Sequence, residues 1–100
     1  MANEMWNDYT DYVISSMGID EPDVKKRILK DIDIFNSNIE KLPIIENKMQ
    51  EKIVALSKMY AKDSKSYLDK GDICTSFSCI SYAHGLLDAI RTLNGVSEYV

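Results

Sequence analysis

The stretch Gly71–Arg91, GDICTSFSCISYAHGLLDAIR, decides how the whole chain is read. It carries the single histidine and both cysteines, and after Asp72 its apolar residues recur at helical spacing. Phe77, Ile80, Ala83, Leu87 and Ile90 fall at steps of three and four and make one apolar face. Tyr82, Leu86, Ala89 and Leu93 make an adjoining one, and Cys74, Ser78, Ser81, Gly85, Asp88 and Thr92 complete the circuit as a band of mainly small residues. A helix with so little charge on its circumference is expected to be buried on most sides. This helix, about Ile73 to Leu93, is therefore predicted to be the centre of the assembly. Ahead of it, Lys70-Gly71-Asp72 reads as a helix stop, a left-handed residue and the N-cap of the next helix.

Working backwards, Ile45, Met49, Ile53, Leu56, Tyr60 and Tyr67 keep the same period, with Asp63 falling between the two tyrosines. Lys48, Lys52, Lys58, Lys62 and Lys65 lie mostly off that stripe and read as a solvated face. Pro43 is expected in the first turn of this helix, where its missing N–H costs nothing. Before it, Val24, Ile28, Ile32, Phe35, Ile39 and Leu42 form one stripe on a helix opened by Asp20 as N-cap, with Glu21 and Asp23 at the positive end of its dipole. There is no sustained alternation and no Asn-Gly or Asp-Gly turn between β-branched runs, so no strand is marked. The predicted fold is all-α, an antiparallel up-down helical bundle of three main helices plus a short N-terminal helix. In that short helix Met5, Tyr9, Tyr12, Val13 and Met17 recur, with Trp6 beside them. Residues 1–20 are read as an N-terminal extension, 21–95 as the bundle domain and 96–100 as a C-terminal tail.

Bulk properties narrow the function. With 100 residues the chain has room for one domain. Its net charge of −4 and scattered Lys and Arg leave no basic face for nucleic acid. No secretory signal and no 18-residue apolar run appear, so the expectation is a cytoplasmic protein with no membrane contact. Cys74 and Cys79 are five apart, not a CxxC pair, and one histidine is too few for a structural zinc site. No metal and no cofactor are expected. The uncharged last helix needs cover from the N-terminal segment or from a second copy, and a homodimer is expected, with a further protein partner also open.

One polar cluster stands out. His84 and Asp88 are four apart and share a helical face, with Ser81 three before the histidine. Tyr60, Asp63 and Tyr67 lie on the preceding helix, folded back by the Gly71 turn, and reach similar heights. Tyr60, Asp63, Tyr67, Tyr82, His84 and Asp88 are thus the candidate ligand-binding residues, set against a reading in which they form a buried hydrogen-bond network that fixes helix register. Gly71 and Asp72 are read as structural, and Gly85, which costs about 1 kcal/mol in a helix relative to Ala, as a sign of close approach by a neighbour. A Ser81–His84–Asp88 triad is disfavoured because mid-helix N–H groups are already bonded and supply no oxyanion donors. No catalytic residue is assigned.

The run Tyr60–Arg91, YAKDSKSYLDKGDICTSFSCISYAHGLLDAIR, resembles the archaeal family known as domain of unknown function 357. The family pattern is a tyrosine, an aspartate and another aromatic on one helix, then Gly-Asp, then a helix bearing Tyr-Ala-His-Gly-Leu-Leu-Asp-Ala. It is met at Tyr60, Asp63, Tyr67, Gly71, Asp72, Phe77 and Tyr82 to Ala89. The resemblance implies a compact helical bundle of archaeal origin and, in some relatives, attachment to a nucleotidyltransferase-like domain. It implies no known activity. The leading functional expectation is a non-enzymatic interaction or scaffold module that self-associates. The alternative is a small-ligand or nucleotide-related accessory domain with a polar pocket around His84.

Overall fold

The computed structural model describes residues 21–96. Among them are three helices and no strand: α1 (Glu21–Glu40), α2 (Lys48–Asp69) and α3 (Ile73–Leu93). The predicted N-terminal helix, the Asp20 cap and residues 97–100 lie outside the described residues.

The spacing of apolar residues in α1 sets its inner face. Val24, Ile28 and Phe35 are buried, and Ile32, Ile39 and Leu42 pack against them from the edge of the core. The helix ends before Pro43, as the steric restriction on the residue preceding proline requires. Pro43 is expected inside the first turn of α2, but it sits in the exposed link, and the helix opens five residues later, at Lys48. The reason is Asn47: its side chain accepts a 3.0 Å hydrogen bond from the Gln50 amide and caps the helix there.

α2 ends in a Schellman turn. The Gly71 amide donates to the Leu68 carbonyl at 3.0 Å and the Asp72 amide to the Tyr67 carbonyl at 2.9 Å. Gly71 takes φ +84°, a conformation that costs any residue with a Cβ about 1–2 kcal/mol. Asp72 then caps α3 by accepting from the Thr75 amide at 3.2 Å. With so tight a turn, α3 returns alongside α2, and at the far end the Asn94 amide group donates to the Gln50 side chain at 2.9 Å.

The core is centred on α3. Ile80, Ala83, Leu87 and Ile90 are fully buried, and α3 packs against both other helices while α1 and α2 touch each other less. Burying an Ile or Leu side chain of this kind stabilises the fold by about 1.5–3 kcal/mol.

Two expectations are corrected here. The buried stripe of α2 is Val54, Ser57, Ala61 and Ser64, rotated from the predicted one; Met49 is 66% exposed, and Ile53, Leu56, Tyr60 and Tyr67 are only half-buried. Small side chains let α2 approach α3 closely, and the larger apolar ones flank the seam. α3 is also not wrapped on nearly every side. Ser81, Tyr82, Gly85, Ala89, Thr92 and Leu93 are exposed, and a Cβ added to Gly85 would meet nothing within 4 Å. Among the described residues no neighbour approaches that glycine.

Candidate functional site

The side chain of His84 leaves α3 toward α1. Its Nε2 donates to the backbone carbonyl of Asp31 at 2.7 Å, and its ring meets Phe35 edge-on, with centroids 5.7 Å apart at 89°. A carbonyl oxygen only accepts, so Nε2 carries a proton. The expected His84–Asp88 bond is replaced by this inter-helix one. Asp31 itself points elsewhere, 3.5 Å from Arg27 on its own helix.

Asp88 pairs along α3, its carboxylate 3.4 Å from the Arg91 guanidinium, while its carbonyl accepts from the Thr92 hydroxyl at 2.8 Å. Arg91 is 5% exposed, a cation that sequence reasoning did not place inside. Burying its stem adds apolar contact, and the Asp88 carboxylate offsets part of the desolvation of its head.

The α2 side of the hairpin holds the other candidates. Tyr60 and Tyr82 meet edge to face with ring centroids 4.7 Å apart at 88°, a geometry worth about 0.5–1.5 kcal/mol beyond its area. Asp63 lies near Cys79. Burial pushes the Cys79 thiol up from its ordinary value, and the negative charges of Asp63 and then Asp72 push it further the same way. Such a thiol is held protonated rather than activated. Tyr67 stands at the turn with the Lys70 ammonium 5.5 Å from its ring centre.

The six candidates therefore divide among separate contacts: His84 with α1, Asp88 with Arg91, Tyr60 with Tyr82, Asp63 near Cys79, and Tyr67 with Lys70. Among the described residues no single contact joins all six. Among the described residues no three His, Cys, Asp or Glu side chains converge to hold a metal ion.

Two features escaped sequence reasoning. The first is the buried serine seam, where Ser64 donates to the Ser76 carbonyl at 2.8 Å and Ser76 to the Ser64 carbonyl at 2.6 Å. Its signal was the series Val54, Ser57, Ala61, Ser64, small residues at helical steps. The second is a groove of about 470 Å³ between α1 and α2, with Leu29, Ile32, Phe35, Ile39 and Ala61 among its apolar lining and Lys58, Lys62 and Lys65 along one rim. The solvated lysine face flanks this groove.

No described helix is long and apolar enough to cross a membrane. No curated protein matches the chain. The family described as protein of unknown function (DUF357) matches residues 26–96, which extends the likeness well beyond the Tyr60–Arg91 run and takes in most of α1, all of α2 and all of α3. The chain belongs to the DUF357 family.

Proposed function

We propose that this protein is a non-enzymatic interaction module, an up-down bundle that pairs with a second copy of itself through the outward face of α3. The observation that carries this reading is the character of that face. Ser78, Ser81, Tyr82, Gly85, Ala89 and Leu93 carry no charge, with Asp88 at the edge of the face paired to Arg91; Tyr82 is 49% and Leu93 68% exposed, and no described residue stands within 4 Å of the Gly85 Cβ position. In a chain of net charge −4 two copies repel, and an uncharged surface is where their approach costs least. A symmetric pair needs one self-complementary patch, and a bare glycine lets the two backbones come close. The dispersal of the six polar candidates supports a module over a pocket or a reaction centre. A Cys79 thiol outside any disulfide fits a reducing, cytoplasmic setting.

Sedimentation equilibrium tests the pairing. The wild type is expected to be a dimer at micromolar concentration and the Ala89→Lys variant a folded monomer. A wild-type chain that stays monomeric at the highest soluble concentration sinks the reading.

A further inference from the structure

We propose that the groove between α1 and α2 is the docking site for the chain's own N-terminal segment, seated as a helix over residues 4–17. The groove has an apolar lining that includes Leu29, Ile32 and Ile39; its α1 side also carries Asp33 and Asn36, and its α2 rim carries Lys58, Lys62 and Lys65, spaced by four and then three, so the cations lie on the α2 side and outnumber the one carboxylate. Residues of that spacing share one helical stripe. All three lysines are exposed. Lys65 has one carboxylate partner, Asp69 at 2.6 Å on its own helix.

The segment before α1 is complementary in three respects. It has no Lys or Arg, and ahead of Asp20 its acidic residues Glu4, Asp8 and Asp11 repeat the same four-then-three step. Its apolar residues Met5, Tyr9 and Tyr12 occupy the adjacent stripe, so one amphipathic helix offers an apolar face to the lining and an acidic edge to the lysines. The lengths also agree. If Gly18-Ile19-Asp20 makes the turn, Asp11 lies about 9 Å back from Met17 and Glu4 about 20 Å, at roughly 1.5 Å per residue. Leu29 lies about 12 Å along α1 from Glu21 and Asn36 about 22 Å, by the same rise. Glu4 to Asp11 and Lys58 to Lys65 are each seven residues apart, so the acidic ladder matches the lysine rim in length along the Leu29–Asn36 part of the groove. Because a short link joins the end of α1 to the start of α2, Lys65 stands toward the Leu29 end and Lys58 toward the Ile39 end. The pairing this register gives is Asp11 with Lys65, Asp8 with Lys62 and Glu4 with Lys58. A same-chain occupant is favoured over a second copy's segment because three residues suffice to return the chain, and the outward face of α3 stays open.

Trp6 is the only tryptophan, which makes the segment directly observable in the full-length protein. In the wild type its fluorescence is expected to be blue-shifted and several-fold less quenched by acrylamide than free indole. Reversing the rim with Lys58→Glu, Lys62→Glu and Lys65→Glu should release it, with helicity by circular dichroism retained. Adding Glu4→Lys, Asp8→Lys and Asp11→Lys should restore shielding. Independently, a zero-length carbodiimide should join the acidic ladder to the lysine rim within one chain, as mapped by mass spectrometry on mixed isotopic labels. Trp6 as accessible as free indole, or equally shielded in wild type and rim variant, overturns the proposal. So do cross-links found only between chains, which would seat a second copy's segment. Shielding lost on Ala89→Lys but kept on rim reversal would place the segment over α3, and that single result would also count against the dimer face.

Discussion

The hydroxyls of Ser64 and Ser76 exchange hydrogen bonds across the α2–α3 seam, each donating to the other's backbone carbonyl at 2.8 and 2.6 Å. Each hydroxyl has one proton, so both are spent on these bonds, and the 3.1 Å separation of the two oxygens reflects how closely the helices lie. Both serines are fully buried. Hydroxyls burn free energy when buried without partners; here each has one, and the pair fixes the sliding register of one helix on the other.

Ser64→Ala and Ser76→Ala should each lower stability by about 1 kcal/mol, the net worth of one neutral hydrogen bond. The double variant should cost less than the sum, because the two sites touch. Ser64→Leu should cost more than either, about 1–3 kcal/mol, since the seam has no room for a larger side chain. Urea denaturation of the four proteins measures all three effects. Additive alanine costs would show that the two serines are not coupled.

His84 ties α3 to α1 through the Asp31 carbonyl and the Phe35 ring. His84→Phe should keep most of the packing and lose about 1 kcal/mol with the hydrogen bond, whereas His84→Ala should lose about 2 kcal/mol or more as a cavity is added. Nitrogen-15 spectra of the imidazole should show the proton on Nε2. A ring protonated on Nδ1 alone would contradict the contact to Asp31.

The three helices were legible because apolar steps of three and four need only one sequence, and the α1 stripe from Val24 to Phe35 and the α3 stripe from Ile80 to Ile90 lie buried in the structure. The Gly71 turn was legible for a local reason, since a left-handed residue and an N-cap are both decided within a few residues. What was not legible depends on a neighbour. The inner face of α2 is made of Ser57, Ala61 and Ser64, and nothing in their own chemistry marks them as buried until α3 brings Ser76 against them. Within its own helix Asp88 is the nearest partner for His84; the Asp31 carbonyl that accepts its hydrogen bond is 53 residues away in sequence. Scarcity of charge does not mean burial on α3, where Ser81, Tyr82, Gly85, Ala89 and Leu93 are exposed.

Gly71 and Gly85 should respond to alanine with opposite signs. At Gly71 the positive φ of 84° penalises a Cβ, and Gly71→Ala should cost about 1–2 kcal/mol. At Gly85 the backbone is helical and the Cβ position is open, so Gly85→Ala should add about 0.5–1 kcal/mol to the stability of the monomer. Thermal melts at low protein concentration read this, and a destabilised Gly85→Ala monomer would mean that something within the chain does press on that site. Melts at high concentration read the pairing, where an added methyl between close backbones would offset the gain.

Cys79 offers a chemical test of the α2–α3 seam. Its thiol is raised first by burial and then by the charges of Asp63 and Asp72, so at neutral pH it carries less thiolate than an ordinary cysteine and should react more slowly with a disulfide reagent than an unfolded control. Asp63→Asn removes one of the two charges and should speed that reaction, by less than unfolding does, because burial is the larger cause. The stability linkage has a definite sign. A thiol raised in the folded state stays protonated while the unfolded one ionises, so the folded state holds more protons above the unfolded thiol's value. This contribution is fully present below that value and is lost as pH climbs through the folded one, so stability should fall in the alkaline range. Cys79→Ser, whose hydroxyl does not ionise there, should flatten that part of the decline. Urea midpoints measured across the alkaline range would decide it, and identical slopes for wild type and Cys79→Ser would show that the thiol's surroundings do not favour its neutral form.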